Sequence, residues 1–325
     1  MADILITENI RGSAVDDLST RFDVKFAPDL WKTPVELSRQ IGDFRALIIR
    51  NQTQVTAELL AEATKLVVVG RAGTGLDNVD VAAATKEGIL ITSTPDQNAI
   101  SVAELTMGLM LSLARLIPAA NQDTKSGKWN RHQFLGTELY GKTIGVIGAG
   151  KIGYLTARRA QSFGMKVLAH DLFISRDNIL LSELNAELVS LVDLLEGADV
   201  VSCHLPATPE TVGLLNAACF EKMKSTALFI NTSRGEVVVE DDLLRALKSG
   251  VIAGAALDVR STEPPQTGEL ERLPNLILTP HVAAFTNEAQ DRVTRAICDD
   301  IIRVLDGKPA QNPVNQVRVG QRILA

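Results

Sequence analysis

Aromatic side chains are scarce in this 325-residue sequence, 4% of the total with two tryptophans and two tyrosines. Its core must therefore be aliphatic and alanine-rich. Cysteine is scarce as well: Cys203, Cys219 and Cys298 have no CxxC spacing, and no His/Cys cluster of the zinc-binding kind accompanies them. That pattern argues against a bound zinc ion, or any other metal, and for a reducing, cytoplasmic compartment. There is no cationic leader at the N-terminus, where MADILITENIRG carries Asp3 and Glu8. Long apolar runs are missing. The most apolar stretch, LTMGLMLSLA (105–114), lies between Glu104 and Arg115 and is half the length of about 20 residues that a bilayer requires. It reads as a buried helix. Positive charge is not in excess either: 33 Lys and Arg face 39 Asp and Glu, for a net charge of −6. Nucleic acid and acidic membrane surfaces are excluded as general partners.

What is present is an alternation. Hydrophobic residues make up 46% of the chain, and its length exceeds what one core usually serves, so two domains are expected. Short β-branched runs punctuate helical patterns throughout: ILIT near the N-terminus, VKF (24–26), ALII (46–49), LVVV (66–69) and a second ILIT (89–92). A second series follows with TIGVI (143–147), KVLAH (166–170), DVVSC (199–203), ALFIN (227–231), GAALDV (254–259) and LILTP (276–280). Such nearly continuous apolar strands suit parallel sheets covered on both faces. Between them, TAELLAEAT (56–64) places Leu59, Leu60 and Ala63 on one helical face, with Thr56 able to cap. The fold class is α/β, two doubly wound parallel-sheet domains.

Two long helical patterns bracket the second series. One covers 98–129 and should be interrupted or kinked at Pro118; the other covers 286–307 and stops at Gly307. They suggest that residues 99–285 form a dinucleotide-binding domain inserted into a first domain made of 1–98 and 286–325.

The inserted region opens with VIGAGKIG (146–153), where a strand runs into Gly148, Gly150 and Gly153 and a helical pattern follows. Gly148 permits a tight turn, Gly150 lets a pyrophosphate approach the backbone, and Gly153 lets helix and strand pack closely. The helix N-terminus offers unpaired N–H groups to phosphates. The next strand, KVLAHD, ends in Asp171, 21 residues beyond Gly150. An acid at about that distance receives the ribose hydroxyls of NAD. It would also repel a 2′-phosphate, and the nearest arginine after it, Arg176, is five residues on. NAD is the expected cofactor.

Three further strand ends carry polar residues: NTSRGEVV (231–238), ALDVRSTEPP (256–265) and LTPHVAAFT (278–286). Ligands of open α/β sheets bind beyond such carboxyl ends, so these groups should converge. Oxidising a hydroxy acid requires a carboxylate anchor, a base for the hydroxyl proton and a group that tunes the base. Arg234, His281 and Glu263 have those chemistries.

These motifs resemble the D-isomer-specific 2-hydroxyacid dehydrogenase family, together with VVGRAGTGLDNVD (68–80), NAISVAELT (98–106) and GTELYGKTIGVIGAGKIG (136–153). The likeness runs from about residue 46 to residue 315. It implies an NAD-binding Rossmann domain inserted in a flavodoxin-like substrate domain, with Arg234, Glu263 and His281 catalytic. Cofactor contacts would fall on Thr74, Gly148, Gly150, Lys151, Ile152, Gly153, Asp171, His204, Leu205, Pro206, Thr232, Ser233, Arg234, Asp258, His281 and Ala284. Substrate contacts would fall on the loop Arg71, Ala72, Gly73, Thr74 and Gly75, which offers N–H groups to a carboxylate. Arg50 would join them, and so would Arg131 from a neighbouring subunit. Within the family the sequence is most similar to the branch acting on D-3-phosphoglycerate, in a short form without C-terminal regulatory domains. The resemblance also implies a homodimer or dimer of dimers, with the helix at 101–117 as the subunit contact.

Ala283 stands where the family often has glycine, Phe285 where a smaller residue is common, and Leu205 where a polar residue often follows His204. These departures keep the substrate open. Glyoxylate or hydroxypyruvate reduction and sulfolactate oxidation would use the same core, differing in the anionic tail of the substrate. An NAD-sensing, corepressor-like protein of the same fold is the non-enzymatic alternative.

Overall fold

In a computed structural model, residues 3–175 and 179–317 are described; Arg176 lies outside them. The chain divides into two compact units, residues 1–98 with 286–325, and residues 99–285. Each contains one parallel sheet among the described residues.

The first unit has strands β1 (Ile4–Ile6), β2 (Val24–Phe26), β3 (Ala46–Ile49), β4 (Val68–Arg71) and β5 (Leu90–Thr92), in spatial order β2-β1-β3-β4-β5. This is the flavodoxin-like order. Every residue of β1, β3, β4 and β5 is buried, as continuous apolar runs require when both sheet faces are covered. One cover is the helix Asn287–Leu305, whose Val293, Ile297, Ile301 and Val304 join Ile4, Ile48 and Val68 in one core cluster. Gly70 makes the approach possible: a Cβ there would stand 2.8 Å from Ile297 Cγ1. The helix begins at Thr286, whose side chain accepts the Ala289 N–H at 3.1 Å, and it ends before Gly307 at φ 74°.

The second unit has β6 (Thr143–Ile147), β7 (Lys166–His170), β8 (Glu187–Leu188), β9 (Val200–Cys203), β10 (Leu228–Asn231), β11 (Gly254–Leu257) and β12 (Leu276–Leu278). Their order, β12-β11-β10-β9-β6-β7-β8, reverses direction at β6 and β9. This is the dinucleotide-fold order extended by one strand, with the switch point beside β6. The two-residue strand β8 has no apolar run to announce it, and periodicity alone misses it.

The helical pattern at 98–129 resolves into two helices, Ala99–Ala114 and Ile117–Lys125, bent by 64°. The break falls at Leu116, in a left-handed conformation with φ 53°, and not at Pro118. Pro118 sits in the first turn of the second helix, where its missing N–H costs nothing. No single described helix is long and apolar enough to cross a membrane.

Candidate active site

The glycine turn behaves as its three positions require. Gly148 has φ 89°, and a Cβ on it would press the His204 backbone at 3.0 Å. Gly153 packs so closely that a Cβ would fall 2.1 Å from the Gly148 carbonyl oxygen. Gly150 differs, because nothing lies within 4 Å of where its Cβ would be. It caps the helix Lys151–Ser162 without a side-chain hydrogen bond, so the first turn keeps its N–H groups directed outward. The space over Gly150 and the bare helix terminus fit a pyrophosphate.

Asp171 closes one side of this turn. Its Oδ2 accepts the Ala149 N–H at 2.9 Å and its Oδ1 accepts the Phe173 N–H at 2.8 Å. The carboxylate is thereby fixed at the turn, with lone pairs remaining for ribose hydroxyls. Opposite lies the β9 end, where His204 Nε2 pairs with Ser202 Oγ at 2.9 Å. Burial drives the His204 pKa down to about 4, so this ring is neutral. Its enclosed Nδ1 has no hydrogen-bond partner among the described residues. Leu205 is half-buried and Pro206 exposed.

The β10 end is organised by a buried asparagine that sequence reasoning passed over. Asn231 Oδ1 accepts from Ser233 N–H at 2.9 Å and Ser233 Oγ at 2.8 Å, while its Nδ2 donates to the Arg234 carbonyl at 2.8 Å. The Thr232 hydroxyl is turned inward to Thr106 at 2.9 Å. Arg234 follows in extended conformation, half-buried, with Nη1 donating to the Ser233 carbonyl at 2.8 Å.

Beyond β11 and β12 the acid and the imidazole meet: His281 Nδ1 lies 2.7 Å from Glu263 Oε2. This hydrogen bond is the main cause of a raised His281 pKa, aided by the negative charges of Glu263 and Asp258 and opposed by burial and by Arg234. Burial alone would raise Glu263, but the bonds from His281 and from the Arg260 N–H outweigh it and leave the carboxyl below its usual range. His281 has φ 54°, a left-handed conformation that costs a non-glycine residue about 1–3 kcal/mol and is held only by surrounding structure. Asp258 does much of the holding. Its carboxylate accepts from Thr279 Oγ1 (2.5 Å), Val282 N–H (2.9 Å) and Ala283 N–H (2.8 Å), and its carbonyl accepts the His281 N–H (2.8 Å). The resemblance casts Asp258 as a cofactor contact; its side chain also braces the histidine loop, with Oδ2 accepting only the Ala283 N–H among these bonds.

In the first unit, the loop after β4 is partly spoken for. The Ala72 N–H donates to Ile49 at 2.7 Å and the Gly73 N–H to Arg71 at 2.9 Å, which leaves the Thr74 and Gly75 N–H groups without a backbone partner among the described residues. Gly73 has φ 149°, and the Arg71 guanidinium folds back over it, leaving no room for a Cβ. Arg50 is held at its backbone: Glu8, buried at the end of β1, accepts the N–H groups of Arg50 (2.8 Å), Gln52 (3.1 Å) and Thr53 (3.0 Å). Asn78 Nδ2 completes the clamp on the Arg50 and Thr53 carbonyls at 2.9 and 2.7 Å. Neither Glu8 nor Asn78 stood out in the sequence, because a single buried polar residue has no pattern. Arg131 is exposed, in the short 3₁₀ helix Arg131–Phe134 of the second unit.

A reversing parallel sheet, a glycine turn with an acid on the next strand, and an acid–imidazole pair at neighbouring strand ends define a dinucleotide-binding domain of the oxidoreductase type. The chain belongs to the D-isomer specific 2-hydroxyacid dehydrogenase family, whose NAD binding domain matches residues 107–283. A D-3-phosphoglycerate dehydrogenase of Archaeoglobus fulgidus is 41% identical over 314 residues, which are 96% of this chain and 59% of that protein. The human D-3-phosphoglycerate dehydrogenase is 45% identical over 280 residues, 86% of this chain and 52% of that protein. The chain thus spans little more than half the length of these curated relatives. Among solved structures, the TT0316 protein of Thermus thermophilus superposes with a TM-score of 0.90 at 34% identity, covering 96% of this chain and all of that one.

Proposed function

We propose that this chain is an NAD-dependent D-2-hydroxyacid dehydrogenase and that its substrate is D-3-phosphoglycerate, oxidised to 3-phosphohydroxypyruvate. The observation that carries the reaction type is the 2.7 Å contact between Glu263 and His281, with the imidazole made more basic by it. Glu263 accepts the Nδ1 proton, which leaves Nε2 as the basic nitrogen facing the substrate hydroxyl. Nε2 takes that proton during oxidation and returns it to the carbonyl oxygen during reduction. Arg234 holds the substrate carboxylate and polarises the developing carbonyl. When bound, the nicotinamide supplies the acceptor for the hydride that leaves C2. Gly148, Gly150, Lys151, Ile152 and Gly153 would hold its pyrophosphate, and Asp171 its adenosine ribose. Asp171 also favours NAD over NADP, because its charge repels a 2′-phosphate.

The substrate assignment rests on the names of the relatives and on the arginines that the resemblance assigns to the phosphate, Arg50 and Arg71, with Arg131 supplied by a neighbouring subunit. A second reading has support of its own: a glyoxylate reductase from Paecilomyes thermophila superposes with a TM-score of 0.88 at 28% identity. An NADH-linked assay across phosphohydroxypyruvate, hydroxypyruvate, glyoxylate and sulfopyruvate separates the two. Preference for the phosphorylated acid supports the first reading; equal or better turnover of glyoxylate overturns it.

A homodimer belongs to the same proposal. The helix Ala99–Ala114 buries ten of its residues and leaves Ile100, Glu104 and Gly108 exposed at i, i+4 spacing. Further exposed apolar residues follow it: Ile117, Trp129 (81% exposed), Leu135 (90%) and Tyr140 (79%). We place the subunit contact there. The three free cysteines agree with a reducing, cytoplasmic location.

A further inference from the structure

The loop that presents Glu263 is anchored from behind by a charged cluster unrelated to the cofactor motif. Arg260 is 11% exposed at its side chain and lies between two acids. Its Nε and Nη2 donate to the two oxygens of Glu240 at 3.0 and 2.9 Å, and its Nη1 donates to Glu271 at 2.5 Å. Glu240 is the first residue of the helix Glu240–Lys248, and Glu271 lies in the 3₁₀ helix Leu270–Arg272. One guanidinium therefore ties three segments together, using the planar fork that a lysine lacks.

The same carboxylates also hold the backbone. The Ser261 N–H donates to Glu240 at 2.7 Å and the Gly268 N–H donates to Glu271 at 2.6 Å. The Arg260 N–H donates to Glu263 Oε1 at 3.0 Å, so one Glu263 oxygen is fixed by the turn and the other is left for His281. Gly235, next to Arg234, presses against the same peptide: a Cβ there would lie 2.0 Å from the Arg260 carbonyl carbon. The segments carrying Arg234 and Glu263 thus share one wall. Charge balance agrees with a committed cluster, since the Arg260 bond and the Gly268 N–H pull Glu271 down to about 2, and Arg260 is raised by its Glu240 bond.

We propose that Arg260, clamped between Glu240 and Glu271, is a positioning residue that aims Glu263 at His281. The inference rests on the reading of His281 as the acid/base. A purely structural role for Arg260 would change the melting temperature and leave the histidine titration alone. A positioning role moves the titration. The charged groups facing His281 are Glu263, Asp258 and Arg234, and Arg260 acts through the first of them.

The test uses the full chain with Arg260→Leu, and with Arg260→Leu combined with Glu240→Gln and Glu271→Gln, which removes the charges left unpaired. The His281 ring is titrated by NMR, and the pH dependence of NADH-linked reduction is measured alongside. In both variants the imidazole pKa is expected to fall towards that of Glu263→Gln, and kcat to drop about tenfold or more while KM for NADH holds. A folded variant of either kind whose His281 titrates as in the wild type overturns the inference. If Glu263→Gln lowers the imidazole pKa without slowing turnover, the acid/base reading fails instead, and the NMR result still decides the role of Arg260.

Discussion

His281 is the residue on which most consequences turn. Its pKa is raised in the folded protein, chiefly by Glu263, so the ion pair adds stability that is complete below the ordinary imidazole value and is lost as pH rises through the folded value. On the proposed mechanism reduction uses the imidazolium and should decline over that same rise, whereas oxidation uses the neutral ring and should increase. Removing the charge with Glu263→Gln leaves burial and Arg234 to lower the pKa. The falling limb of the reduction profile is then expected at more acid pH, with a rate loss of about 10²-fold at neutrality. An unmoved limb, measured with chemistry rate-limiting, would separate Glu263 from the histidine's titration. Asp171 makes a second prediction. On the proposed reading, Asp171→Asn keeps one carbonyl acceptor for the Ala149 and Phe173 N–H groups but removes the charge that opposes a 2′-phosphate. Paired kcat/KM measurements should show the preference for NAD over NADP falling about tenfold or more, the worth of one charged hydrogen bond.

Among the elements, the glycine turn separates stability from binding within four residues. Gly153→Ala drives a methyl group into the Gly148 carbonyl and should cost about 1–3 kcal/mol, read as a lower melting temperature. Gly150→Ala meets open space, so melting should change by less than about 1 kcal/mol while NADH affinity, measured by titration calorimetry, weakens clearly. Equal effects of the two on melting would contradict the assigned geometry. Glycines at these spacings can be read from sequence because a single motif encodes both turn and packing, and the parallel strands can be read because burial on two faces leaves unbroken apolar runs. Asn231, Glu8 and the Arg260 cluster could not be read that way. Glu8 and Arg260 act on groups distant in sequence, and Asn231 ties a turn that carries no pattern of its own; such partnerships exist only once the chain has folded. Asp258 shows the same limit from the other side: its place on a strand end was evident, yet its job as a brace required knowing that three donors reach it.

For the molecule as a whole, one group of exposed apolar side chains lies between Ile117 and Tyr140. If that face joins two copies, Trp129→Ser with Leu135→Asp should shift sedimentation towards the monomer and leave the circular dichroism of the folded chain unchanged. A wild-type protein already monomeric at micromolar concentration would remove the dimer from the proposal. The helix Asn287–Leu305 has a consequence of another kind. Its side chains complete the core that Ile4, Ile48 and Val68 begin, but the ribosome makes it only after all of residues 99–285. At about 5–20 residues per second, the first sheet waits roughly 10–40 s with the part of one apolar face that this helix covers still bare. The inserted unit can mature during that interval and the outer one cannot, so synthesis leaves the first-made strands to be finished last. Nascent chains stalled before residue 287 are therefore the form of this protein that should depend most on chaperones.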